Sequence, residues 1–187
     1  RRTLVRVPAN EFSVIGWALD MGATGVIVPL VNSAADAEAA VRATRYPPDG
    51  DRSMGPTRAI RIFGEACVEQ AGKAIQCIPM IETRRALENL DEILAVPGVD
   101  LVYVGPSDLS VNLGLGRGNN DGEPAFDEAL AAILDACRRH GVVPGIHSNA
   151  SLAKRRMEAG FRVVTVAEDD TAMLSGLAAV LDNLGCL

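Results

Sequence analysis

Aromatic side chains are scarce in this chain: one Trp, two Tyr and four Phe among 187 residues. With a hydrophobic fraction of 48%, the core must be built from Ala, Val, Leu and Ile. That composition suits helices packed on a parallel sheet, whose strands are buried on both faces. Lysine is rarer still, with only Lys73 and Lys154. Lys73 precedes an apolar run and Lys154 falls within a helical stretch, so neither projects from a strand into a pocket as a Schiff-base lysine must. No apolar run approaches the ~20 residues of a membrane span, and no signal peptide is legible. No Lys/Arg-rich block exists and net charge is −6, which argues against nucleic acid as a partner. The four cysteines, Cys67, Cys77, Cys137 and Cys186, form no C-x-x-C pair. Reduced thiols in a cytoplasmic protein are therefore expected rather than disulfides or a zinc site.

What is present is an alternation of short apolar runs with amphipathic stretches, the signature of repeated βα units. Strands are expected over residues 4–7, 25–29, 75–80, 101–104, 143–146 and 162–166. Helices are expected over 11–21, 34–44, 84–94, 125–139, 151–159 and 171–184. Asn32 or Ser33 can cap the second helix, Pro124 suits a first helical turn, and Gly141 and Gly185 stand where left-handed caps are wanted. Two long loops remain, from Tyr46 to about Ile60 and from Ser107 to Glu123. Six units fit either a complete doubly wound sheet or a TIM barrel two units short of eight. The pattern alone leaves both open.

Polar residues gather at the ends of the expected strands, the catalytic side of both architectures. Arg6 stands in the first strand, Glu82 follows the third, Gly105-Pro106-Ser107-Asp108 follows the fourth, and His147 ends the fifth. Two carboxylates in one mouth repel unless protonated or bridged by a cation, and oxygen donors suit Mg²⁺ or Mn²⁺. The plain alternative makes Glu82 a helix-start acid and Asp108 a turn residue. Arg6 can clamp a carboxylate or an enolate oxygen, or simply reach solvent. The Ser107 and Asp108 amides can form an anion-binding turn. His147 is an acid–base group or a structural donor. Gly114-Leu115-Gly116-Arg117-Gly118 lacks phosphate-loop spacing and reads as a flexible loop.

Several stretches together resemble the HpcH/HpaI aldolase family of the phosphoenolpyruvate/pyruvate-barrel superfamily. They are Leu4-Val5-Arg6-Val7-Pro8, Ala18-Leu19-Asp20-Met21-Gly22-Ala23, Val28-Pro29-Leu30-Val31-Asn32-Ser33 and Ala43-Thr44-Arg45-Tyr46-Pro47-Pro48-Asp49-Gly50-Asp51-Arg52. Ile81-Glu82-Thr83, Asn89-Leu90-Asp91-Glu92-Ile93, Gly98-Val99-Asp100 and Gly105-Pro106-Ser107-Asp108-Leu109-Ser110 complete the set. The resemblance implies a single TIM (β/α)8 barrel domain over 1–187 that supplies about six βα units, with the first two missing. It implies a class II aldolase cleaving a 4-hydroxy-2-oxo acid to pyruvate and an aldehyde. By position, Glu82 and Asp108 would hold Mg²⁺ or Mn²⁺, with Co²⁺ a further option. Arg6 would stabilise the enolate, the Ser107 and Asp108 amides would take the pyruvate carboxylate, and His147 would wall the substrate pocket. Asp20 would be an acid–base helper near a subunit contact in a homo-oligomer, a hexamer by resemblance. The family's acid–base histidine lies upstream of this sequence, and Met80 stands where many relatives have Gln. Two other readings are a citrate-lyase-like C–C lyase, which wants a basic surface for an acyl thioester, and a non-catalytic remnant that binds metal and pyruvate.

Overall fold

The computed structural model describes residues 2–184. Among these, six strands alternate with helices: β1 Leu4–Arg6, β2 Gly25–Val28, β3 Gln76–Ile81, β4 Leu101–Val104, β5 Val143–Ile146 and β6 Val163–Val164. Every neighbouring pair is parallel and the spatial order is the chain order, β1 through β6. A doubly wound sheet reverses its order at a switch point; this one never does. It is the curled part of a (β/α) barrel, which settles the question the sequence pattern left open.

The pleat sorts side chains into two cores. Leu4, Ile27, Ile78, Met80, Leu101, Tyr103 and Val163 form a cluster on the inner face. Intervening residues such as Val26, Cys77, Val102, Val104 and Ile146 join the larger cluster under the helices. Extending the inner set by the period of two carries it to Glu82, Gly105 and His147 at the strand ends, while Arg6 lies on the same face of β1. The lumen is thus apolar below and polar at its mouth.

The helices are α1 Phe12–Asp20, α2 Ala34–Thr44, α3 Thr57–Phe63, α4 Ala66–Ala74, α5 Arg84–Glu88, α6 Leu90–Leu94, α7 Pro106–Asn112, α8 Pro124–His140, α9 Ala150–Ala159 and α10 Asp169–Asn183. Ser33 caps α2 by accepting from the Asp36 N–H, Pro124 opens α8, and Gly141 closes it in the left-handed region. Gly185 and Cys186 lie outside the described residues; Cys67, Cys77 and Cys137 are free thiols. Three expectations change. The helix over 84–94 is broken at Asn89, whose backbone leaves the helical region and whose side chain donates to Asn32 O at 2.8 Å. The first long loop ends in α3, and α4 occupies the residues left unassigned between that loop and β3; the apolar period misses α3 because Ile62 and Phe63 stay exposed. The second begins as α7, started by Pro106 directly after β4. Among the described residues no helix is long and apolar enough to cross a membrane.

The turn after α2 shows how tightly backbone packs here. Asp51 N donates to Arg42 O and Arg52 N to Arg45 O, at 2.9 and 2.8 Å. A Cβ on Gly50 would lie 2.4 Å from Arg42 O and 2.5 Å from Arg45 O, backbone atoms that cannot swing aside. Gly50→Ala should therefore cost about 2 kcal/mol or more, read as a lowered urea midpoint at unchanged slope. A midpoint equal to wild type would refute this packing.

Candidate metal and substrate site

Glu82, the first residue after β3, is the electrostatic centre of the strand mouth. It is only 1% exposed. Its Oε1 accepts from the Leu30 backbone N–H at 2.8 Å. Its Oε2 is buried with no hydrogen-bond partner among the described residues. Burial, reinforced by the nearby Asp108 charge, pushes its pKa above the usual carboxylate range, against the pull of the Leu30 N–H and of Arg6. A buried carboxylate with a free oxygen is unstable as an anion unless a cation or a proton meets it.

The surroundings hold that carboxylate in place. Leu30 takes φ +54°, the one positive value outside glycine among the described residues, a conformation that costs energy for a branched side chain. It turns the Leu30 N–H onto Glu82. A polar lattice fixes this β2–α2 loop: Asn32 Nδ2 donates to Leu30 O at 2.9 Å, Asn89 Nδ2 to Asn32 O, and Thr83 Oγ1 to Asn32 Oδ1. Gly105 closes the other side. A Cβ there would sit 2.5 Å from Glu82 Oε2 and 2.9 Å from Met80 Cε, so only glycine leaves room for the carboxylate. Met80 thus packs in the lumen beneath Glu82, at 7% exposure.

Arg6, at the end of β1, is exposed and makes no hydrogen bond or ion pair with a described residue. It is near enough to Glu82 to perturb its titration, as is Asp108. Ser107 and Asp108 fall in the first turn of α7, where backbone N–H groups have no intrahelical acceptor. His147 follows β5 and pairs with Glu168, Nε2 to Oε1 at 3.0 Å, both half exposed. The strand ends therefore bring Arg6, Glu82, Ser107, Asp108 and His147 to one mouth.

Asp20 does not join them. It ends α1, which runs back to the start of β2, and so lies at the opposite end of the sheet. There it pairs with the buried Arg52 guanidinium at 2.7 Å, which also stacks 4.6 Å over the Tyr46 ring. Within one chain it is an ion-pair partner rather than part of the strand-end cluster. The lysines are as expected: Lys73 closes α4 before β3, and Lys154 is exposed on α9.

This geometry has relatives. The family model for HpcH/HpaI aldolase/citrate lyase matches residues 1–175. A 4-hydroxy-2-oxo-heptane-1,7-dioate aldolase of Klebsiella pneumoniae is 42% identical over 184 residues, 95% of this chain and 68% of that protein. A hydroxypyruvate/pyruvate aldolase of Rhizorhabdus wittichii is 39% identical, over 93% of this chain and 69% of its own length. The crystal structure of an HpcH/HpaI aldolase/citrate lyase family protein from Burkholderia cenocepacia superposes with a TM-score of 0.86 at 33% identity, covering 97% of this chain and 72% of that one. The chain belongs to the HpcH/HpaI aldolase/citrate lyase family. It is accordingly an enzyme of the lyase class, built on the family's barrel fold.

The family's divalent cation fits what the residues offer. Among the described residues no group of three or more His, Cys, Asp and Glu could form an all-protein cage. Two carboxylates suffice for Mg²⁺, which keeps water or substrate oxygens in its remaining positions. The unpartnered Glu82 Oε2 is the donor such an ion would use. Leu30, Asn32, Asn89 and Gly105 escaped the sequence reading as site residues; only the capping role of Thr83, which accepts from Ala86 N at 3.0 Å, could have been read from its place before a helix. Gly105→Ala should displace Glu82 and weaken Mn²⁺ binding about 10- to 100-fold, with an unchanged circular dichroism spectrum. Unaltered affinity would show that Gly105 does not make room for the ligand.

Proposed function

We propose that the strand mouth binds a divalent cation together with pyruvate and catalyses reversible aldol cleavage of a 4-hydroxy-2-oxo acid to pyruvate and an aldehyde. The observation that carries this reading is the buried, half-satisfied carboxylate of Glu82 with Asp108 and Arg6 beside it. Glu82 and Asp108 hold Mg²⁺ or Mn²⁺. The bound cation supplies Lewis-acid polarisation of the pyruvate carbonyl, which acidifies the C3 proton.

The chain's own groups do the rest. The Arg6 guanidinium, without a partner among the described residues, donates to the keto oxygen, where it offsets the negative charge that develops as C3 loses its proton. The Ser107 and Asp108 amides receive the pyruvate carboxylate at the positive end of α7, fixing which face of C3 meets the aldehyde. His147, with Glu168 behind it, walls the side from which the aldehyde enters. Asp20 has no part in this reading within a single chain. α10 leaves Met173, Leu174, Leu177 and Val180 more than half exposed, a surface in keeping with the homo-oligomer that the family resemblance implies.

Titration calorimetry of Mn²⁺ with and without pyruvate tests the reading. Pyruvate should tighten Mn²⁺ binding, and Glu82→Gln should abolish both. Arg6→Ala should keep the metal yet lower kcat for retro-aldol cleavage about a hundredfold or more. A folded chain that binds no Mn²⁺ would refute the proposal, and binding without turnover would leave a non-catalytic pyruvate site.

A further inference from the structure

The glycine-rich segment that follows α7 takes no part in the strand-mouth cluster, yet the fold pins it firmly. Gly114 and Gly118 take φ values of +82° and +118°, so the backbone of residues 113–123 has many paths open to it. A buried ion pair selects one. Arg156, on α9, is 3% exposed. Its Nη2 donates to Asn119 Oδ1 at 2.6 Å and pairs with Asp121 Oδ1 at 2.7 Å. The Asp121 side chain is 5% exposed, and its Oδ2 also meets Arg155 Nη1 at 3.1 Å.

Such a pair is a poor source of net stability. Two charges leave water, and apolar side chains of similar volume often hold a fold as well. Its better-attested use is to specify one arrangement of the elements it joins. Arg156 belongs to α9, whereas Asn119 and Asp121 belong to the connection between α7 and α8. The pair therefore straps that connection to the next strand–helix unit.

The strap reaches back to the metal end of the site. Beside Asn119, the Gly118 carbonyl accepts from Ser110 Oγ at 3.2 Å, and Leu115 N donates to Ser110 O at 2.9 Å. Ser110 is fully buried on α7 and stands two residues after Asp108. α7 spans only Pro106–Asn112, and a helix so short is held by its surroundings rather than by its own turns. Asp108 in turn is close enough to Glu82 for its charge to oppose ionisation there.

We propose that Arg156 is a positioning residue for the metal site: through Asn119, Gly118 and Ser110 it fixes α7, and so holds the Asp108 carboxylate where it shares a cation with Glu82. Arg156 itself touches neither cation nor substrate. The inference rests on the two-carboxylate site proposed above, and it gives the glycine-rich segment a task.

Mn²⁺ calorimetry, together with amide hydrogen exchange of the metal-free protein, tests it. Arg156→Met alone would leave Asp121 buried with only the peripheral Arg155, so the informative protein combines Arg156→Met with Asp121→Asn. With both charges gone, its urea midpoint should stay near that of wild type. Amide exchange across 113–123 and α7 should quicken about tenfold or more, and Mn²⁺ affinity should fall about tenfold. Loss of affinity at an unchanged midpoint is what a role in stability alone would not produce. Ser110→Ala, which cuts only the side-chain link from α7 to Gly118, should weaken Mn²⁺ binding about fivefold. Wild-type Mn²⁺ affinity in a protein whose strap exchanges faster overturns the inference, as does a strap that exchanges no faster without the pair. Should the double variant fail to fold, undiminished Mn²⁺ affinity in Ser110→Ala overturns it instead. All three results leave the two-carboxylate site standing. Folded wild type that binds no Mn²⁺ overturns both.

Discussion

A carboxylate buried at the mouth of a barrel, with one oxygen held by a backbone N–H and the other without a partner among the described residues, constrains everything around it. Glu82 is fixed by a donor that exists only because Leu30 accepts a left-handed backbone. That conformation persists only because Asn32, Thr83 and Asn89 tie the same loop to the next helices. Gly105 in turn has no side chain because the Glu82 carboxylate occupies the space. Strain, lattice and glycine all serve to keep one oxygen of Glu82 free in a place where water cannot freely solvate it. Such an atom is costly to a structure with no use for it, and is what a cation site requires.

The ladder explains why these groups meet at all. In-order parallel strands with a side-chain period of two put every second residue into the lumen, and the last inward residue of each strand at the mouth. The inner face is apolar from Leu4 and Ile78 up to Tyr103, so the polar layer stands above an apolar floor.

Much of this was legible in the sequence. Apolar runs bounded by Gly and Pro located all six strands, and the polar residues at or just beyond their ends include Arg6, Glu82, Asp108 and His147. Periodicity could not choose between barrel and doubly wound sheet, since both repeat βα units; strand order chose. Leu30 was invisible because nothing in its side chain announces a left-handed backbone. Asn89 concealed its tether inside a helical pattern, and the short helices α3 and α7 bury too few residues to show a period. Asp20 illustrates the opposite limit. Its place in the sequence gives no distance to Glu82, and the fold sends it to the far end of the sheet, into an ion pair with Arg52.

The central claim is that the Glu82 carboxylate is held ready for a cation. A ¹³C NMR titration of selectively labelled protein, following the Glu82 carboxyl with and without Mg²⁺, tests it directly. Without Mg²⁺ the carboxyl should keep its proton to a pH above the ordinary carboxylate range, because burial and Asp108 oppose the charge. Adding Mg²⁺ should drive that midpoint down, since the cation replaces the proton on the free oxygen, and Gly105→Ala should blunt the response. A Glu82 midpoint that Mg²⁺ leaves unmoved would contradict the account.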